Sequence, residues 1–353
     1  MKRLSDHLVE QREFAYRRSR AHPGLPDANV TTRSDSSASE TVSTISDRFV
    51  SEYAAVGPTN AVRALGIGKD STSLTDHSPD GTDELASLLW RTLRDLSASR
   101  PCTGAERVGG DFLVDWATAQ LAAIESGEPT RLMSELVGPQ AQTRTVFDLM
   151  AKETEQDWET IATRLENVPG AMASYIESLS AGLDDGNVAS VRLVDGVANQ
   201  CRTWAGNGSG GWFQGFAASY GDGSLDRRLD SAGAAADEAY GRLGQWLAST
   251  YAPLATETDG VGVDRYQIAA AAQLGASNLD IEDAYEWGWQ ELARIEAEKK
   301  IECETILPGG SCGEVMHLLT RDPSRAIDGV ENYRAWLQDV TDERSERCRV
   351  RHS

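Results

Sequence analysis

The 353 residues carry 34 Lys and Arg against 55 Asp and Glu, a net charge of −21. That balance excludes a nucleic-acid binder, whose phosphate contacts need basic side chains, and argues equally against an anionic membrane surface. No apolar run approaches the roughly eighteen residues of a membrane span, while an apolar content of 40% is enough for a packed core.

Residues 1–40 mix Arg12, Arg17, Arg18 and Arg20 with acidic side chains and then run into a Ser-, Thr-, Asp- and Pro-rich stretch. They read as a disordered arm and linker, with no apolar core of a signal peptide. Helical spacing starts near Thr41, where Val42, Ile45, Phe49 and Tyr53 recur at intervals of three and four until Gly57-Pro58. Ser78-Pro79 opens a second helix with Leu85, Leu88, Leu89, Leu93 and Leu96. A third spans 104–125, with Val108, Phe112, Trp116 and Ile124 as its expected core face. Trp158, Ile161, Leu165 and Val168 mark another, cut at Pro169-Gly170, after which Met172, Tyr175, Leu179 and Leu183 resume the pattern. Val194, Val197, Cys201 and Trp204 form a further stripe, and Leu229, Ala232, Ala236, Ala239, Leu243 and Leu247 another with small residues on its packing side.

The longest pattern lies at 280–307. Asp280 is a good N-cap, Glu282 and Asp283 suit the positive end of the helix dipole, and Pro308-Gly309-Gly310 ends the run. Ile281, Tyr285, Gly288, Leu292 and Ile295 share one face, which then meets Lys299 and Glu302. Either that end is solvated or the pattern departs from what the fold wants. Ser311 and Glu314 form a capping box for the next helix. No stretch of four residues alternates convincingly. The expectation is all-α: an irregular multi-helix array around one long central helix at 280–307, a single domain at 41–341, and an irregular, aberrant tail at 342–353. The five cysteines (Cys102, Cys201, Cys303, Cys312, Cys348) are scattered and odd in number, which suits reduced thiols and a cytoplasmic protein.

Several segments together resemble a bacterial family of zinc-dependent peptidase-like proteins, domain of unknown function 885. They are Phe147-Asp148-Leu149-Met150 with Asp157-Trp158, Arg164-Leu165-Glu166-Asn167-Val168-Pro169-Gly170, and Tyr251-Ala252-Pro253. Asp259-Gly260-Val261-Gly262 through Tyr266, Tyr285-Glu286-Trp287-Gly288-Trp289-Gln290-Glu291-Leu292, and Leu307-Pro308-Gly309-Gly310 complete the set. The likeness covers about 45–340 and looks like the N-terminal half of a family member. It implies that a full-length member binds zinc through an HExxPGH-type helix in its other half. This chain contains no His-Glu pair, and its histidines (His7, His22, His77, His317, His352) have no helical partner four residues away. No catalytic and no metal residue is therefore assigned, and no cofactor is expected in this chain.

Other candidates are weak. Asp76-His77 with Asp80 has metal-ligand or acid–base chemistry, but a loop with capping aspartates is the simpler account. His317 reads as a partly buried structural histidine. Ser209 lacks the G-x-S-x-G pattern, and Gly68-Lys69 fails as a phosphate loop because Arg63 and Asp70 stand at its two ends. The segment that fits a substrate wall holds Gly262, Arg265 and Tyr266. Arg265 suits a substrate carboxylate, and Tyr266 a developing oxyanion. The expectation is a non-catalytic, truncated portion of a metal-dependent peptidase, its partners a peptide substrate or a missing C-terminal half. The alternative is an acidic helical module for protein interaction. A severed half should leave apolar surface open, around Trp287, Trp289 or the helix after Asp328.

Overall fold

The computed structural model describes residues 40–206, 210–275 and 279–351, the side chains of 348–351 excepted. The N-terminal arm expected at 1–40 falls, but for its last residue, outside the described residues. Among them every regular element is a helix; one isolated parallel bridge joins Ser190 to Thr256.

Three helices form the first layer: α1 (Val42–Val56), α2 (Pro79–Ala98) and α3 (Gly104–Glu125). Side-chain oxygens cap each of them, Thr41 on Thr44, Ser78 on Gly81 and Thr103 on Glu106. Ile45, Phe49, Leu88, Leu89, Leu113 and Leu121 close a small core between them. The α3 face differs from expectation. Trp116 and Ile124 pack against this core as expected, but Val108 and Phe112 are 67% and 68% exposed, while Leu113, Ala117 and Leu121 are buried. The helix carries two apolar stripes side by side, and the packing of α1 and α2 decides which one goes inside.

The larger core is organised by α5 (Glu155–Asp184), with α4 (Pro139–Asp148), α6 (Val191–Trp204), α7 (Trp212–Ala217) and α8 (Asp226–Trp246) around it. Thr154 and Asp157 close a capping box at its start, and Ile161, Leu165, Val168, Met172, Tyr175 and Leu179 are fully enclosed. So the long central helix exists, but it is α5 and not 280–307. Nor is it cut at Pro169-Gly170. Pro169 removes one backbone donor at a cost of about 3 kcal/mol. The buried apolar side chains on either side contribute about 1.5–3 kcal/mol each and outweigh it. At Gly182 a Cβ would collide with the Thr130 carbonyl, so the close approach of α5 to the turn at Pro129–Arg131 requires glycine.

α9 (Val263–Leu274) packs on α3, and beyond it lie α10 (Ile281–Ile306), α11 (Cys312–Arg321) and α12 (Val330–Arg351). Asp280 caps α10 by accepting from the Glu282 and Asp283 amides. In this 26-residue helix, about 39 Å long, Cys303 alone is buried. Lys299 and Glu302 are exposed like the residues around them, so that end of the helix is solvated. Pro308-Gly309-Gly310 turns the chain into α11, whose capping box joins Ser311 and Glu314. A disulfide ties Cys303 of α10 to Cys312 of α11, Cα atoms 5.3 Å apart, which corrects the reading of unpaired thiols. Cys201 is a buried free thiol and Cys102 an exposed one. The tail read as irregular from residue 342 is helical as far as Arg351. Ion pairing at i,i+4, as between Arg347 and Glu343 (2.6 Å), supports helix without a buried face.

Candidate functional site

Segment 66–78 crosses the surface of α5 between the two cores, and it is pinned along its length. Thr59 and Thr75 exchange two hydrogen bonds, each amide donating to the other's hydroxyl at 3.1 Å. Asn167 of α5 donates to the Thr72 carbonyl at 3.0 Å, and the His77 amide donates to Ser174 Oγ at 3.0 Å. Asp76 accepts from the Ser78 amide at 2.9 Å just before α2 begins. A Cβ at Gly81 would strike the Asp76 carbonyl, so glycine lets the first turn of α2 close over this loop.

The segment separates two spaces. Outside is an open cleft of about 670 Å³ whose polar walls include Asp76, Asp80, Asn167, Ser174 and Glu177. Inside is a smaller cavity of about 140 Å³, where His77 and Tyr175 meet Val56, Leu85, Ile124 and Leu132. The His77 ring sits edge-on to Tyr175, centroids 6.2 Å apart, and its Nε2 is sealed from solvent with no hydrogen-bond partner. Burial pulls the imidazole pKa down to about 4 against the opposing pull of Asp76, so the ring is neutral at pH 7. Burial also pushes the Asp76 carboxyl up, but hydrogen bonds from Ser78 and Ser174 outweigh it and hold the pKa below its usual value. Asp80 thus lines the outer cleft, His77 the inner cavity, and Asp76 both. Among the described residues no three His, Cys, Asp or Glu side chains gather closely enough to hold a metal ion.

The Gly262–Tyr266 segment lies elsewhere. Gly262, at φ +78°, precedes α9, and Tyr266 is half exposed. The Arg265 guanidinium is held by Glu128 through two hydrogen bonds of 2.8 Å. Glu128 also takes Arg131 Nε at 3.1 Å and Nη2 at 3.0 Å, and Arg131 reaches on to Asn187. Desolvation pushes the Glu128 carboxyl up, but Arg265 and then Arg131 overcome it and keep it below the ordinary glutamate value. Neither Glu128 nor Arg131 stands out in the sequence, since a lone ion pair 137 residues apart leaves no local spacing. His317 is exposed on α11, where a shallow depression also touches Glu314, Leu318 and Arg321; the partly buried position read from its apolar neighbours is not observed. Ser209 lies outside the described residues.

The segment 66–78 also hides a charge. Arg164 is fully buried under it; Nη2 donates to the Gly68 carbonyl at 3.3 Å, while Nε and Nη1 have no partner. Desolvation pulls its pKa down to about 10 despite Asp70 nearby.

Two helical cores joined by a pinned loop, with an exposed helical extension, define an all-α array of a kind unlike the repeat or four-helix bundles. The chain belongs to the bacterial protein family of unknown function DUF885, whose family model matches residues 58–352. The match continues past Val340, through the segment read as aberrant. No curated protein matches the chain. A crystal structure described as "the putative lipoprotein from Colwellia psychrerythraea" is similar at a TM-score of 0.62 and 16% identity, over 86% of this chain and 58% of that one. The chain thus spans little more than half the length of that structure, and the likeness is one of fold.

Proposed function

We propose that this chain is a non-catalytic helical portion of a metal-dependent peptidase-like protein, walling one side of a substrate cleft and packing through α10 and α12 against further helices. The observation that carries this reading is the open aromatic surface of α10. Tyr285 and Trp289 are 66% and 58% exposed, 6.1 Å apart, and share one face of the rod with Leu292 and Ile295, while Trp287, 64% exposed, and Ile301 lie on the other side. On α12, Tyr333 and Trp336 stack at 5.8 Å and are about half exposed. Large apolar side chains left open along both helices mark an interaction site, and the similar solved structure has additional length that would supply such a cover. Zinc belongs, in this reading, to the part that carries an HExxH-type helix. Arg265, fixed on Glu128, holds the segment that carries Gly262 and Tyr266, which in this reading meets the substrate, and a peptide is the expected substrate of the whole.

The cytoplasmic expectation rested on unpaired cysteines. The Cys303–Cys312 bond removes that support and favours an oxidising compartment. The reading is tested on the purified 353-residue chain. Dye binding, concentration-dependent association through α10, and no zinc-dependent peptidase activity are expected. A monomer that binds no hydrophobic dye, or a chain that hydrolyses peptides when given zinc, overturns it.

A further inference from the structure

α10 and α11 stand apart from both cores: neither helix places a residue in them, and α10 packs chiefly on α11. Each of the two helices buries one residue, Cys303 in α10 and Val315 in α11. Among the described residues no ion pair joins them, and the Cys312 sulfur lies 3.8 Å from the Lys299 carbonyl. The turn between them carries its own hinge. Gly309, at φ +76°, donates its amide to Glu304 at 3.1 Å, and Gly310 donates to the Leu307 carbonyl at 2.9 Å. Glycine at positive φ lets such a turn change direction without steric cost. The Cys303–Cys312 bond, closing a separation of nine residues, is therefore the strongest link between α10 and α11.

The bond is placed for exchange. Cys312 is partly exposed at the first position of α11, whereas Cys303 is buried, so an external thiolate reaches the Cys312 sulfur first. We propose that the Cys303–Cys312 bond is a redox latch, closed in an oxidising setting and opened by a dithiol reductant, and that opening it releases α11 from the last turns of α10. One thiolate of the reductant attacks Cys312 Sγ; the sulfur–sulfur bond of the protein breaks, and Cys303 leaves as a thiolate that takes up a proton. The second thiol of the reductant, deprotonated, then displaces Cys312 Sγ from the mixed disulfide. Two electrons have passed to the protein, which now holds two thiols, and the reductant holds the disulfide. Release uncovers Val315 and the flank of α10 around Cys303. Because neither cysteine belongs to a core, the rest of the chain keeps its fold. The latch acts whether or not α10 docks against further helices.

The test uses the full 353-residue chain with dithiothreitol as the reductant. The state of the bond is read from the mass added by a thiol-alkylating reagent. Release is read from amide hydrogen exchange in α11, with α5 as the internal reference. Reduction should proceed without denaturant and should speed exchange in α11 about thirtyfold, the lower end of what one disulfide contributes to the state it links, while α5 stays protected. The double variant Cys303→Ala, Cys312→Ala should exchange at the fast rate and ignore dithiothreitol. A bond that opens only once α5 unfolds, or exchange in α11 that reduction leaves unchanged, overturns the proposal. So does an air-oxidised chain in which Cys303 and Cys312 both alkylate freely, or a double variant that still responds. The unmodified chain alone decides the matter where the variant does not fold.

Discussion

Arg265 on α9 holds Glu128, 137 residues earlier, by two hydrogen bonds of 2.8 Å each. A planar guanidinium meeting a carboxylate in this side-on way fixes direction as well as distance. The pair therefore locks α9 to the turn at Pro129–Arg131, which itself sits on α5 through the Thr130–Gly182 approach. Both side chains are about two-thirds covered. A double-mutant cycle with Glu128→Gln and Arg265→Met should return a coupling of about 1–2 kcal/mol, between exposed and buried pairs. A coupling near zero would mean that the clamp is only a crystallographic-style surface pairing without weight. Because Glu128 titrates below the ordinary value of 4.5, its contribution is complete above that pH and lost below it. Denaturant melts of the unmodified chain and of Glu128→Gln should converge as the pH falls from 4.5 through the depressed pKa of Glu128.

His77 also loses stability as the pH falls, over a higher window. Its pKa of about 4 in the folded chain lies below the ordinary 6.5, so the unfolded chain binds the extra proton between those values. Stability is full above pH 6.5 and falls by about 3 kcal/mol as the pH drops to 4. Replacing His77 with Phe should flatten that part of the stability profile. Should the slope between pH 6.5 and 4 survive the substitution unchanged, the imidazole is not sealed as described.

Arg164 carries a buried charge with two unpaired nitrogens. Replacing such a group by an apolar side chain of similar length is neutral or stabilising by about 1–3 kcal/mol, so Arg164→Met should raise the urea midpoint or leave it unchanged. Arg164→Ala, which opens a void beneath 66–78, should lower stability by about 2–4 kcal/mol. A large loss in Arg164→Met would reveal an anion that normally sits on the guanidinium.

Trp287 and Trp289 protrude from α10 without buried neighbours. Substituting both by Glu should leave global stability within about 0.5 kcal/mol while sharply reducing dye binding and self-association. A marked loss of stability would mean that the two rings are packed against the body of the chain.

Local pattern is a true guide where a helix both starts with a capping residue and carries one apolar stripe. The helix starts near Thr41 and at Ser78-Pro79, the Asp280 cap, the Ser311–Glu314 capping box and the buried series Leu229 to Leu247 are as expected. It fails where two local signals compete. In α3 the Val108–Phe112 and Leu113–Leu121 stripes are equally apolar, and at Pro169 a helix breaker lies inside the most buried segment. The α4 helix escaped notice because Gln140 and Thr143, polar residues, are fully buried in it. The acid–base candidates at Asp76, His77 and Asp80 were legible as residues, but their division between an outer cleft and an inner cavity was not.

Local chemistry alone determined the helical class of this chain, the Asp280 and Ser311 caps and the apolar face of α10 from Ile281 to Ile295, because those depend on residues three or four apart. Which long helix lies at the centre, which cysteines pair, and that Arg265 closes on Glu128 were decided by the tertiary structure. Periodicity reports that a face is apolar but cannot say what covers it, and burial is a property of the neighbours rather than of the segment.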